Sequence, residues 1–321
     1  MRSADGPNKK ANMSTKQHSD DRGAFAPLSP ALIWQLSAPH TWPAAIMPVL
    51  IACACALATT GAVSPAMAWL LLVICILMQS SVNTFNDYFD YVKGADSADD
   101  NVEVTDAVLV YNHVNPRSVL AAAIALLTAA FLLGIIVILK AGLTPLAIAL
   151  VGAVIVVAYS GGKAPLSYLP VGEAVSGLVM GGLIPLACYQ VLTGSLDFLM
   201  LLWAAPTVIG VGLIMMTNNT CDIEKDIEAN RRTLPVLLGR PRARTAYRGL
   251  MVLWIAAILA IVPIWFPTGI AVLPFLLLAA YPLLRALWLN PLVPASRIGA
   301  MGQIGSANVA LGALYAAALL F

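Results

Sequence analysis

Two short stretches of the sequence combine carboxylates with amides at spacings of three and four residues. The first reads Asn-Thr-Phe-Asn-Asp-Tyr-Phe-Asp over residues 83–90, and the second reads Asn-Asn-Thr-Cys-Asp-Ile-Glu-Lys-Asp over residues 218–226. Side chains at these spacings share one face of a helix, about 5–6 Å apart. Each stretch therefore predicts two neighbouring carboxylates with an amide one turn away.

Such oxygen ligands suit a hard cation that keeps part of its water shell and bridges to phosphate, which favours magnesium over zinc. Asp87 and Asp90 form the first carboxylate pair, and Asp222 and Asp226 form the second. Solvated helix ends would explain a single stretch equally well. Two stretches on the same side of a membrane favour a binding site, because acids at the ends of apolar segments are costly to keep without a role.

The composition is that of a polytopic membrane protein. Of the 321 residues, 60% are hydrophobic and only 11% are charged, against about 25% charged in an ordinary soluble domain. A formal net charge of +2 gives no indication of a nucleic-acid partner. The five cysteines lack paired metal-ligand spacing and are interpreted as packing residues.

The predicted fold is all-α, with nine transmembrane helices around a central cavity. Residues 1–28 are polar and predict a disordered cytoplasmic tail, whereas residues 29–321 form the transmembrane domain. Nine apolar runs approach the length needed to cross about 30 Å of hydrocarbon. They are residues 43–62, 66–86, 118–139, 143–160, 171–193, 198–218, 246–265, 269–289 and 303–321.

The basic residues orient these helices. With the N-terminus in the cytoplasm, all 18 lysines and arginines except Lys140 fall in cytoplasmic segments, as the positive-inside rule requires. Both acidic stretches then lie on the cytoplasmic side, where we expect them to face each other across the cavity. The predicted location is the plasma membrane.

The acidic stretches also carry a resemblance to a known family. Asn-Asp-Tyr-x-Asp-x-x-Lys-Gly-x-Asp over residues 86–96 and Asn-Asn-x-x-Asp-Ile-Glu-x-Asp over residues 218–226 resemble the two aspartate-rich motifs of the UbiA superfamily of intramembrane prenyltransferases. Within it, the 1,4-dihydroxy-2-naphthoate polyprenyltransferases are the most similar branch. The resemblance implies magnesium-dependent transfer of a polyprenyl group from polyprenyl diphosphate to that acceptor, with loss of carbon dioxide, in menaquinone biosynthesis.

Departure of diphosphate from an allylic carbon requires its growing charge to be neutralised, which suggests two Mg²⁺ ions. Asp87 and Asp90 would hold one ion, and Asp222 and Asp226 the other. The remaining candidates would bind or orient phosphate, metal and acceptor. They are the amides Asn83, Asn86 and Asn219, the cations Lys163, Arg231 and Arg232, and the tyrosines Tyr88 and Tyr159.

The loop after the first motif departs from the family pattern. Many superfamily members carry a third aspartate four residues after Asp90, where this chain has Gly94, so Asp96 is the expected substitute. Residues 96–117 are acidic where the naphthoate branch tends to be basic, and their apolar run at 108–110 could fold over the mouth of the cavity. This departure bears on the acceptor and leaves the donor motifs intact.

Two alternatives remain open from the sequence. The same fold could prenylate another acceptor, such as 4-hydroxybenzoate, homogentisate, a porphyrin or a lipid glycerol. A protein of another class, an ion-coupled transporter, would also carry acids within its helices. A transporter predicts acids near the bilayer midplane, whereas those of this chain cluster at the cytoplasmic helix ends.

Overall fold

A computed structural model describes residues 25–93, 108–160 and 165–321. Apart from an isolated bridge between Ala26 and Val114, the regular structure in these ranges is helical. The α-helices are α1 (Pro30–Leu36), α2 (Pro43–Thr60), α3 (Pro65–Lys93), α4 (Val108–Asn112), α5 (Pro116–Ala141), α6 (Thr144–Ser160), α7 (Gly172–Leu178), α8 (Ile184–Thr193), α9 (Leu199–Trp203), α10 (Ala205–Cys221), α11 (Ile223–Glu228), α12 (Leu234–Trp265), α13 (Leu273–Leu289) and α14 (Arg297–Leu320).

The all-α membrane fold is confirmed, and the count of nine crossings is approximate. Within the described ranges, seven helical stretches are long and apolar enough to cross a membrane: Pro43–Thr60, Pro65–Phe89, Pro116–Ala141, Gly172–Thr193, Leu234–Trp265, Pro267–Leu289 and Pro294–Leu320. The other two predicted crossings correspond to shorter helices. Helix α6 has 17 residues, and the crossing at 198–218 is divided at Ala204 between α9 and the 17-residue α10.

Proline and glycine set many of the helix boundaries. Proline occupies the first turn of α2 and α5, where its missing N–H costs no hydrogen bond. Gly61, Gly142 and Gly194 follow α2, α5 and α8 with φ between 74° and 78°, a region that glycine enters without steric penalty. These boundaries lie close to those predicted from the hydrophobic runs.

The helices α7 and α10 pack in direct backbone contact. A β-carbon on Gly177 or Gly181 would lie 2.5 Å from backbone atoms of Val208, so no larger residue fits there without displacement of a helix. Between α7 and α8 the backbone is a π-helix over Val179–Leu183. Pro185 has no N–H to donate to the carbonyl of Gly181, which explains why the regular ladder is interrupted here.

Two hydrophobic clusters organise the described residues. The larger one joins helices α2, α8, α10, α12, α13 and α14. The smaller one, called here the cover cluster, lies where α1, α4 and the start of α5 meet. It consists of Leu36, Val108, Leu109, Val114 and Val119.

The cover cluster also receives the end of the predicted tail. Leu28 packs against this cluster, and the Ala26 N–H donates to the carbonyl of His113 at 3.1 Å. Residues 25–28 of the segment predicted as a tail therefore contact the folded domain. Residues 1–24, the rest of that segment, lie outside the described residues.

Candidate active site

In the first motif, Asp87 is a buried carboxylate bound by backbone amides. Its side chain lies on α3, and the residue is 7% exposed. Its Oδ2 accepts from the Val108 N–H at 2.8 Å, and its Oδ1 accepts from the Leu109 N–H at 3.3 Å. Asp87 therefore anchors the start of α4, in the manner of a helix cap supplied by another segment. The side chain of Asp90 and all of Asp96 lie outside the described residues.

The other predicted residues of the first motif have different surroundings. The Asn83 amide donates to the Ser37 carbonyl at 3.0 Å and to Thr41 Oγ1 at 2.8 Å. These bonds tie α3 to the connection between α1 and α2. Asn86 lies on an exposed face of α3, and Tyr88 packs against the cover cluster. The structure therefore places the two asparagines and Asp87 in three separate environments.

In the second motif, Asp222 and Asn218 share a cationic partner. Arg297, the first residue of α14, donates from Nε to Asp222 Oδ2 at 3.0 Å and from Nη2 to Asn218 Oδ1 at 2.8 Å. Asp222 directly follows the end of α10, where its N–H still donates to the Asn218 carbonyl. The sequence had assigned Arg297 only to a cytoplasmic segment. Its pairing joins residues 75 positions apart, which local spacing does not reveal.

Asp226 is the most buried carboxylate of the second motif, at 2% exposure. Thr233 Oγ1 donates to its Oδ2 at 3.1 Å, and Arg231 Nη1 lies 3.5 Å from its Oδ1. Burial raises the pKa of Asp226 above its ordinary value, and the opposing effects of Arg231 and Thr233 do not cancel this rise. Thr233 and Arg231 thus hold the Asp226 side chain in place, while burial disfavours its ionised form.

Glu224, between the two aspartates, belongs to a separate ion pair. Arg240 donates to both of its carboxylate oxygens at 2.7 Å. These hydrogen bonds lower the pKa of Glu224 to about 2. Arg240 also donates to the carbonyls of Leu292 and Thr220, so this arginine connects the second motif to the α13–α14 loop.

Arg231 and Arg232 join the second motif to the loop that follows α6. The Arg231 guanidinium lies 4.7 Å above the Tyr168 ring, a cation–π arrangement. The Arg232 N–H donates to the Tyr168 carbonyl at 2.8 Å, while the Arg232 side chain is exposed. Lys163, predicted to bind phosphate from the same loop, lies outside the described residues.

A buried glutamate that the motifs did not include lies beside Asn219. The Asn219 amide donates to Glu173 Oε1 at 2.9 Å, and the two residues are 6% and 5% exposed. Glu173 Oε2 is buried and accepts no hydrogen bond from the described residues. Tyr159 lies within electrostatic range of Glu173 and of Arg231. A lone carboxylate in the apolar run 171–193 was the feature that could have identified Glu173.

The second motif presents oxygen atoms to a positive group. Asn218 Oδ1 and Asp222 Oδ2 converge on the Arg297 guanidinium, so this pair already binds a cationic partner within the protein. Such oxygens fit a hard metal ion. In the described ranges, three or more acidic, histidine or cysteine side chains do not gather closely enough to hold a metal ion. That both motifs bind one diphosphate through metal ions therefore stays a prediction.

The chain was compared with known protein sequences. A sequence profile of the UbiA prenyltransferase family matches residues 45–297. The 1,4-dihydroxy-2-naphthoate octaprenyltransferase of Bacillus subtilis is 30% identical over 73% of this chain and 72% of its own length. The enzyme of the same name from Mycobacterium tuberculosis is 31% identical over 86% of this chain and 94% of its own length.

Solved structures show the same fold. A UbiA homologue from Archaeoglobus fulgidus bound to GPP and Mg²⁺ superimposes with a TM-score of 0.62 at 17% identity, over 89% of this chain and 99% of the homologue. The same homologue bound to DMAPP and Mg²⁺ gives a TM-score of 0.60 at 16% identity, with the same coverage. Together with the profile match, these likenesses establish that the chain belongs to the UbiA prenyltransferase family and is a membrane-embedded prenyltransferase.

Proposed function

We propose that this prenyltransferase uses Mg²⁺ to transfer a polyprenyl group from polyprenyl diphosphate to 1,4-dihydroxy-2-naphthoate, a step of menaquinone biosynthesis. The observation that carries the proposal is the 31% identity to the Mycobacterium tuberculosis octaprenyltransferase over 94% of that enzyme. The resemblance of both aspartate-rich motifs to the same branch supports it from a second direction.

On the donor side, the two carboxylate pairs would hold two Mg²⁺ ions, Asp87 with Asp90 and Asp222 with Asp226. Bound Mg²⁺ neutralises the charge that develops on a departing diphosphate. Arg231 would bind a phosphate oxygen from the edge of the second motif, and Lys163 from the neighbouring loop. The Archaeoglobus fulgidus homologue was solved with Mg²⁺ and a prenyl diphosphate bound, which supports the use of Mg²⁺ and a prenyl diphosphate donor.

In the reaction, the allylic carbon–oxygen bond of the donor breaks and a carbon–carbon bond to the acceptor ring forms. Diphosphate takes the electron pair of the broken bond. The acceptor carboxylate leaves as carbon dioxide, and the electron pair of its bond stays with the ring. The apolar helices keep water from the allylic cation, and the bilayer accommodates the isoprenoid tail.

The decisive experiment is an acceptor panel. Purified protein is incubated with radiolabelled polyprenyl diphosphate, Mg²⁺ and either 1,4-dihydroxy-2-naphthoate, 4-hydroxybenzoate, homogentisate or a lipid glycerol. We expect prenylation of the naphthoate with one carbon dioxide released per product, and loss of turnover when Mg²⁺ is chelated. A prenylated product from another acceptor, with none from the naphthoate, would refute the acceptor assignment.

We further propose that the motifs face the cytoplasm and that the membrane is the plasma membrane. The distribution of basic residues, with only Lys140 outside the cytoplasmic segments, supports this orientation. A single cysteine introduced at Lys140 in a cysteine-free variant should react with an impermeant maleimide in intact cells. A cysteine at Arg242 should react only after lysis, and the opposite pattern would invert the topology.

A further inference from the structure

We propose that Glu173 is a binding residue of the acceptor subsite, and that its Oε2 accepts a hydrogen bond from a ring hydroxyl of the aromatic acceptor. This inference rests on the proposed function, because it requires a hydroxylated acceptor. It adds a residue that neither aspartate-rich motif contains.

The first support is the unsatisfied oxygen itself. Glu173 is 5% exposed, and its Oε2 is buried with no hydrogen bond from the described residues. A buried carboxylate oxygen without a donor is costly, and buried polar atoms normally have partners. An oxygen kept in this state is explained if a bound molecule supplies the donor.

The second support is location. Glu173 Oε1 accepts from Asn219 of the second motif at 2.9 Å, which fixes the carboxylate beside the residues assigned to the donor. Tyr159 interacts electrostatically with both Glu173 and Arg231. Arg231 in turn contacts Asp226 of the second motif. The unsatisfied oxygen therefore belongs to the same end of the bundle as the second motif.

The third support is the chemistry of the two substrates. An ionised carboxylate oxygen can only accept hydrogen bonds. An ionised diphosphate likewise offers only acceptor oxygens, so it has no hydrogen to donate to Oε2. The acceptor ring carries hydroxyl groups, which are donors. Of the two substrates, only the acceptor can satisfy Oε2.

The test compares wild type with Glu173→Gln. The glutamine carbonyl can still accept from Asn219, but its amino group replaces Oε2 and cannot accept. We expect the KM for 1,4-dihydroxy-2-naphthoate to rise about tenfold or more, the usual effect of losing a hydrogen bond to a charged group. The KM for polyprenyl diphosphate should change less than about twofold. The dimethyl ether of the acceptor, used as a competitive inhibitor, should keep its inhibition constant because it has no hydroxyl to donate.

Gln190→Ala is the matched control. Gln190 lies in the same crossing, is 4% exposed, and also has a buried side-chain oxygen without a partner in the described structure. Its substitution should leave both KM values unchanged even if it lowers the melting temperature. An unchanged acceptor KM in Glu173→Gln overturns the inference while the proposed function stands. Parallel weakening of the acceptor and its dimethyl ether also overturns it, and a wild-type protein that prenylates no hydroxylated acceptor overturns both.

Discussion

The two aspartate-rich motifs look alike in sequence but have different partners in the folded protein. Asp87 of the first motif accepts from two backbone amides of α4. Asp222 and Asp226 of the second motif are paired with the side chains of Arg297, Arg231 and Thr233. Asp87 of the first motif therefore holds the start of α4 in place, whereas the aspartates of the second motif form ion pairs with arginine side chains.

The two motifs therefore have different structural roles, which their similar sequences do not reveal. Removal of Asp87 would release α4 and the cover cluster, because backbone amides at the start of a short helix would lose their acceptor. Removal of Asp222 would leave the backbone intact and leave Arg297 without its carboxylate. Substitutions at the two motifs should thus give the same loss of activity by different structural routes.

The largest expected effect is on turnover in Asp87→Ala and Asp222→Ala. Each removes a predicted magnesium ligand, and we expect each to lower kcat by about a hundredfold or more. The assay is prenyl transfer at saturating substrates, with folding checked by gel filtration in detergent. More than about a tenth of wild-type activity in either variant would contradict the metal role of that residue.

Hydrogen exchange then separates the two variants. Amide exchange at Val108 and Leu109 should be faster in Asp87→Ala and unchanged in Asp222→Ala, because these two amides donate to Asp87 and not to Asp222. Asn86→Ala is the matched control, since Asn86 neighbours Asp87 but is exposed. Equal exchange in all three variants would show that the Asp87 contacts contribute nothing to the stability of α4.

A smaller effect is expected from Arg297→Ala, which tests the cation site of the second motif. Without the guanidinium, Asn218 Oδ1 and Asp222 Oδ2 lose the positive group on which they converge. The variant should melt a few degrees lower in the absence of metal, since partly buried charge pairs are destabilised when one partner is removed. Mg²⁺ should then raise its melting temperature more than that of wild type, because the ion no longer competes with Arg297. An equal Mg²⁺-induced rise in both proteins would exclude such competition.

The smallest expected effect is a stabilisation by Asp226→Asn. Because burial raises the pKa of Asp226 in the folded protein, folding favours its protonated form, and ionised Asp226 destabilises the protein above that pKa. The neutral asparagine should therefore raise the melting temperature at pH 7 while activity is lost. The difference from wild type should shrink as the pH falls through the raised pKa. A melting temperature difference that does not change on acidification would indicate that the ionisation of Asp226 does not affect stability.

The sequence predicted the fold class and most helix boundaries because these depend on local patterns. Apolar runs of membrane-crossing length at 43–62, 118–139 and 171–193 predicted helices that end close to the ends of α2, α5 and α8. The count of nine crossings is approximate, because the run at 198–218 is divided between two helices. Hydropathy averaged over 198–218 does not show the break at Ala204 between α9 and α10.

Local spacing predicts candidate residues within each motif but not their long-range partners. The helical repeat placed Asn218 and Asp222 one turn apart, and the structure agrees. It also suggested that Asn83 faces the site with Asp87, whereas Asn83 is bonded to Ser37 and Thr41. The contributions of Arg297 and Glu173 depend on how distant helices pack, which a pattern within one segment does not encode.

The backbone contact between α7 and α10 has a mechanical consequence. Because α7 and the π-helical turn after it touch the backbone of α10 at Gly177 and Gly181, we expect these segments to move together. Glu173 lies near the start of α7 and Asn219 near the end of α10, so we expect their 2.9 Å hydrogen bond to persist when other helices move. If an isoprenoid tail enters from the bilayer, we therefore expect the gap to open between other helices.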